Sequence, residues 1–337
     1  MKKYIAVLPI FLAVGALTHG EAALSQESIT RDTATGDYTI SYYASDDNGN
    51  QMLRQIVFVP STKVRPAIRS EFEARHGGNI VYRYALKNGA NAPQAIQVFT
   101  LDPVTGVKTQ AVAPGKRAVH GEISTPQPWT VLTAGKNGDS IRVVWRYPGA
   151  GGLWATQVQP GFGFESTSLP GIVAAGVAGN APNFPGLGED GFDPESALGR
   201  QLQQLVMHDY VDVWVAAPAI SLTNPVNPTA VLTQLKTQVA SWPSQKLIDQ
   251  NVAATLDSQF QAALAALAQG NTQQAIQALR AARQMVSPFH REGQDEDEGP
   301  AEERRKEYGN KSSALAARVL QFDLRFLLHN LAGNGDI

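Results

Sequence analysis

"NIVYRYAL", residues 79–86, decides how the front of this chain is read. Ile80, Tyr82 and Tyr84 fall on one side of an extended chain, while Val81, Arg83 and Ala85 fall on the other. Alternation of this kind marks a strand with one buried face. Five further runs of strand length share its β-branched and aromatic character: 37–44, 53–59, 95–101, 128–133 and 140–147. The separators carry turn chemistry, as in Asp47-Asn48-Gly49-Asn50, Asn88-Gly89, Asp102-Pro103 and Lys136-Asn137-Gly138-Asp139. Strands at this spacing, with no helical pattern between them, predict an antiparallel sandwich or barrel and not a parallel α/β sheet, and the fold expected is an Ig-like β-sandwich.

Beyond Tyr147 the pattern changes. Residues 147–194 are rich in Gly and Pro, as in "PGFGFESTSLPG", and predict irregular structure with short strands along the edge of the sandwich. Asp193-Pro194 offers a helix start, with Asp193 as cap and the helix running to about His208. "YVDVWVAAPAI" then reads as a strand returning to the front sheet.

From Asn224 onward the period becomes helical. Asn227-Pro228 caps a helix over 228–240. In 249–268, Val252, Leu256, Phe260, Leu264 and Leu267 recur every three or four residues and share a face. Gly270 closes that helix, and Asn271 or Thr272 caps the next, whose stripe is Ile276, Leu279, Ala282 and Val286. A last helix over 312–331 carries Leu320, Leu324, Leu327, Leu328 and Leu331. The fold class is therefore α+β and multidomain: a β-sandwich domain over 23–223, followed by an α-helical bundle over 224–337.

Residues 289–311, "FHREGQDEDEGPAEERRKEYGNK", place 13 charged residues in 23 positions, in a chain that is 17% charged. Gly293, Gly299 and Pro300 break the segment, and the acids Asp295 to Glu298 repel one another. A solvated spacer is expected, with "PAEERRKEY" able to form a short helix. Calcium binding at 295–298 is the weaker reading, because an oxygen cage needs ligands spread around a fixed turn.

The helical region "LIDQNVAATLDSQFQAALAALAQGNTQQAIQALRAARQMV" resembles the FIMAH module of secreted bacterial proteins, through its leucine-bearing helix and the hairpin "ALAQGNTQQAIQAL". The likeness covers about 100 residues and implies location and architecture more than activity. The front half, with "IVYRYALKN" and "PGFGFESTSLPG", is loosely similar to the β-sandwich modules that accompany such tails.

The first residues give an address. Lys2 and Lys3 precede an apolar run from Tyr4 to Leu17, and Gly20 and Ala22 suit a signal peptidase site, so residues 1–22 read as a secretory signal peptide. That run has 14 residues, against about 20 needed to span a bilayer. A secreted or periplasmic protein with no integral membrane segment after cleavage is expected. Removing 22 of the 337 residues leaves a chain above the roughly 250–300 residues at which single cores stop growing, hence two domains.

Several chemistries lack their residues. No cysteine occurs, which excludes disulfides, thiolate metal sites and cysteine nucleophiles. Net charge −2 gives no basic balance for nucleic acid. No G-x-S-x-G pentad and no H-E-x-x-H helix occur, and the six histidines are scattered. His76-Gly77-Gly78 resembles an oxyanion loop without its nucleophile. In 46–50, Asp46, Asn48 and Asn50 echo a calcium loop, but Gln51 stands where glycine is required, and a hairpin turn explains the stretch better. Paired carboxylates from distant positions stay open, with Asp190, Asp193 and Glu195 the nearest cluster. No catalytic, cofactor or metal residue is assigned.

Trp129 and Trp145 are expected in the core, though either is a place to look for a carbohydrate platform, and Trp154 in "YPGAGGLW" is the aromatic expected at the surface. The expected function is an exported non-catalytic binding or scaffold protein, whose partner is an envelope component, a polysaccharide or a protein. The alternative is an extracytoplasmic hydrolase with its site in 147–194.

Overall fold

The computed structural model describes residues 27–46, 48–75, 78–107, 123–135, 140–180, 193–207, 209–292 and 303–333. Residues 1–22, read from the sequence as a signal peptide, the acids 295–298, and His76, Gly77 and Asp190 lie outside them. Among the described residues, antiparallel sheets make up the front, and five helices lie toward the carboxyl end. The chain packs as two compact units, one from Met1–Phe58 with Asn183–Gln204, the other from Val59–Pro182 with Leu205–Ile337. Position 224 falls inside the second.

The first unit holds a three-stranded sheet in the order β1 (Ser28–Arg31), β2 (Tyr38–Ser45), β3 (Gln51–Phe58). Ile40, Tyr42 and Ala44 alternate along β2 and are buried. Across the β2–β3 hairpin, Asp46 Oδ1 accepts from the amides of Asn48 and Asn50 at 2.9 and 2.8 Å, and Asn50 Nδ2 donates to Asp46 Oδ2. The Asn50 side chain and these amides hold the Asp46 carboxyl below its ordinary range, although solvent reaches it freely.

The first helix among the described residues, α1 (Ala197–Met207), starts later than the sequence predicts. Asp193 Oδ1 accepts from Glu195 N at 2.9 Å within the turn that precedes the helix, while Ser196 Oγ accepts from Gly199 N at 2.9 Å. Ser196 is the cap, and Asp193 and Glu195 belong to the approach.

The second unit has two sheets. One is four-stranded, ordered β4 (Pro66–Ala74), β5 (Ile80–Asn88), β10 (Val158–Ser166), β7 (Ile123–Ser124). The other is five-stranded, ordered β12 (Val211–Ile220), β11 (Leu169–Gly179), β6 (Ile96–Thr105), β9 (Ser140–Arg146), β8 (Thr130–Gly135). Aromatic rings from both meet in one core. Trp145 of β9 stacks on Phe99 of β6 at 4.9 Å and on Phe164 of β10 at 6.2 Å, and Tyr84 of β5 packs edge-on against Phe99 at 5.7 Å.

Residues 147–194 correct the sequence reading. They supply β10 and β11, both in interior positions of their sheets and not edge irregularities. Both faces of β11 are covered over Val177, Ala178 and Gly179, which removes the alternation that would betray a strand. In β10, a Cβ on Gly163 would stand 2.3 Å from the Tyr82 carbonyl oxygen, so glycine lets the β5 backbone approach.

The core continues into the helices. α2 (Pro228–Ser241) begins at Asn227, whose side chain accepts from Ala230 N at 3.2 Å. Asn227→Ala is expected to lose about 1 kcal/mol, read as a drop of about 2–4 °C in Tm by calorimetry. α3 (Gln250–Ala268) buries Leu256 and Phe260, and Asn271 Oδ1 caps α4 (Thr272–Glu292) by accepting from Gln274 N at 3.1 Å. The last helix, α5 (Glu303–Leu331), is one continuous element and not a short helix followed by a second one. Acids at its start and basic and apolar residues beyond it favour propagation through Gly309. Helical backbone therefore enters the charged stretch from both sides, to Glu292 and from Glu303.

α5 packs against β11 and β12 of the five-stranded sheet, and its side chains reach β4 at the edge of the other sheet. Phe322 meets Phe72 of β4 edge-on at 5.2 Å. The Arg318 guanidinium lies 5.6 Å from the Phe72 ring centre and donates to the Ser70 carbonyl. Beside this contact Asp323 is fully buried, and among the described residues neither carboxylate oxygen has a hydrogen-bond partner. Burial raises its pKa well above the ordinary aspartate range.

Candidate functional site

The loop joining β9 to β10 is built to hold a shape. Leu153 and Ile96 exchange backbone hydrogen bonds of 2.9 Å in both directions. Gln97, buried on β6, donates its side-chain amide to the carbonyls of Gly149 and Gly151. Asn88, buried at the end of β5, donates its amide to Leu153 O at 3.0 Å and to Gln94 O at 2.8 Å. Its backbone also receives Thr156 N at 2.8 Å and donates to Gln157 O at 3.1 Å. Gly152 is required by this closeness: at φ +159, a Cβ there would stand 2.7 Å from the Ile96 carbonyl oxygen.

Two buried amides, Asn88 and Gln97, thus pin the loop to the strands beneath it. The tip they fix carries Trp154, which is 54% exposed. Its amide donates to Gln157 Oε1 at 2.8 Å, tying the side chain of Gln157 to the same turn.

Beside Trp154 lies an open groove of about 450 Å³, lined by Pro128, Trp129, Tyr147, Trp154, Gln157 and Gln159 together with Gly151, Gly152, Leu153 and Val158. Its size falls in the range usual for small-ligand sites, about 300–1,000 Å³. Trp129 forms the floor: it is 4% exposed, meets Tyr147 edge-on at 5.5 Å and Phe162 edge-on at 5.0 Å. Val158, exposed like Trp154, adds apolar surface at the rim. Among the described residues lining the groove none is charged, and no carboxylate pair faces it.

The three tryptophans singled out in the sequence are thereby separated. Trp145 is wholly buried and Trp129 nearly so, serving the core and the floor, while Trp154 stands in solvent. Asp46, Asn48 and Asn50 serve a hairpin, and Asp193 and Glu195 a helix approach. Among the described residues no group of three His, Asp or Glu side chains stands together as a metal site would need. No helix among them is long and apolar enough to cross a membrane.

Asn88 and Gln97 escape sequence reasoning because each is one polar residue within or beside a strand pattern. Their only signal is that position, since an amide on a buried strand must find partners.

A scan against protein-family models finds no match, and a search of curated proteins finds none.

Proposed function

We propose that this chain is an exported, non-catalytic binding or scaffold protein of the cell envelope or the extracellular space, and that the groove beside Trp154 is its contact surface. The observation that carries the reading is an exposed tryptophan held by buried hydrogen bonds. Large exposed aromatic surface costs solubility unless it serves contact, and a fixed loop spares the ordering entropy that binding would otherwise spend.

The two facing sheets are read as an Ig-like β-sandwich presenting the groove. The helices are read as a bundle of the FIMAH-like kind that docks or spaces it. Rings from both sheets meeting in one core, and the short α3–α4 connection, support these readings. The basic, apolar and small-residue order of 1–22 supports export.

The test is retention of the full chain, lacking residues 1–22, on isolated cell envelopes. Trp154→Ala is expected to reduce retention at least about tenfold while stability moves by no more than about 0.5 kcal/mol, as at a surface position. Equal retention of the variant and the parent chain would remove the groove from the function.

A further inference from the structure

We infer that the groove takes an uncharged saccharide, one pyranose face stacking on Trp154 while hydroxyls meet the Gln157 and Gln159 amides. This rests on the reading of the groove as the contact surface and names the chemistry of what it contacts.

The lining decides among ligand classes. An anion needs Arg, Lys or a helix N-terminus, and a cation held by an aromatic cage needs a balancing acid; among the described residues the lining has neither kind of charge. A proline-rich peptide docks between parallel exposed aromatic ridges. Here only one of the three lining aromatics is exposed, because Trp129 is the floor and Tyr147 is half-buried. A single exposed ring beside side-chain amides matches a sugar, which has an apolar C–H face and a hydroxyl edge.

The amides suit that edge in particular. A hydroxyl donates and accepts, and a carboxamide does both, whereas a charged group does only one. Gln157 Oε1 is committed to Trp154 N at 2.8 Å, which leaves its NH2 as the donor. Gln159 Nε2 donates to the Pro160 carbonyl at 2.9 Å, which leaves its oxygen as the acceptor. One donor and one acceptor therefore flank the exposed ring on a loop that needs no rearrangement. The groove's openness fits a ring within a longer chain, whose neighbouring sugars extend into solvent.

The experiment titrates the full chain, lacking residues 1–22, with cellohexaose, maltohexaose, laminarihexaose and chitohexaose, following amide resonances by NMR, a readout that persists when Trp154 is replaced. Polygalacturonate and a proline-rich peptide serve as charged and peptidic controls. At least one neutral oligosaccharide should give a saturable shift that Trp154→Ala weakens by about tenfold or more and Trp154→Phe largely restores. Gln157→Ala should weaken it a few-fold, and raising salt from about 0.05 to 0.5 M should leave it unchanged.

A response confined to polygalacturonate and erased by salt, or to the peptide, overturns the inference. So does the absence of any saturable response. If Trp154-dependent retention on envelopes persists in that case, the contact surface stands and the saccharide falls; if retention is also independent of Trp154, both fall.

Discussion

Trp145→Ala should cost about 3–5 kcal/mol, the range for removing a fully buried large aromatic. The ring is wholly inaccessible, lies between Phe99 and Phe164, and contacts Tyr84 and Phe162 as well. Its Nε1–H donates to Ser124 O at 3.2 Å, so truncation also leaves a carbonyl on β7 without that donor. The residue joins strands of both sheets, and no single neighbour can relax into the space. Against a usual total of about 5–15 kcal/mol, this is a large share of the stability. Urea denaturation at 25 °C measures it: a midpoint shift matching less than about 1.5 kcal/mol would mean that the two sheets do not depend on this contact. Trp154→Ala is the internal control, with the same side chain removed from an exposed position.

Asp323→Asn should raise stability, and the gain should depend on pH. Burial penalises the carboxylate and favours the acid, so the folded chain holds a proton that the unfolded chain releases. With the folded-state pKa above the unfolded one, the contribution of Asp323 to stability is greatest below the ordinary aspartate value of 3.8. It declines as pH rises from there through the folded-state value. Asparagine has the shape of the neutral acid and nothing to ionise. At pH 7 to 8 the variant should melt higher by on the order of 5 °C, and the difference should shrink toward zero near pH 4. Thermal scans of both proteins across that range decide it. A difference that does not change with pH would show that ionisation of Asp323 is not what limits the seating of α5. Tyr82, buried beside it, titrates well above its ordinary value for the same reason and stays neutral across the window.

Asp323 also shows how far a sequence can be read. It sits between Leu320 and Leu324 on the buried stripe of α5, and a charged residue at such a position stands out from the amino-acid order alone. What it faces does not, because Tyr82 approaches from a strand more than 200 positions earlier. The strands β2, β3, β5, β6, β8, β9 and β12 were legible because local alternation or β-branched runs recorded one-sided burial. β4, "PAIRSEFEA", was missed: its Glu and Ala residues suit a helix, and only Ile68, Ser70 and Phe72 carry the period of two.

β10 and β11 were misread for a tertiary reason. Gly163 answers to the Tyr82 carbonyl, and the small residues of β11 to neighbours on both sides. Trp154 was legible as exposed from its glycine-rich setting, whereas the pins that make it a fixed platform, Asn88 and Gln97, became visible only with the strands assembled around them.

The strand order has a consequence for how the chain is made. β5 is paired by β10, and β6 by β11, so neither sheet can close until residues near 180 exist. The far edge of the larger sheet waits for β12, and α5, the last element, seals the Phe72 face. A chain emerging from its amino end can pair β1–β3 and β4–β5 locally, but it passes through a long interval in which β5 lacks β10 and β6 lacks β11, and pairing across such separations is slow. Completion of both sheets therefore comes late in synthesis, and under the proposed export that delay would leave the chain in a form able to cross a membrane before it folds.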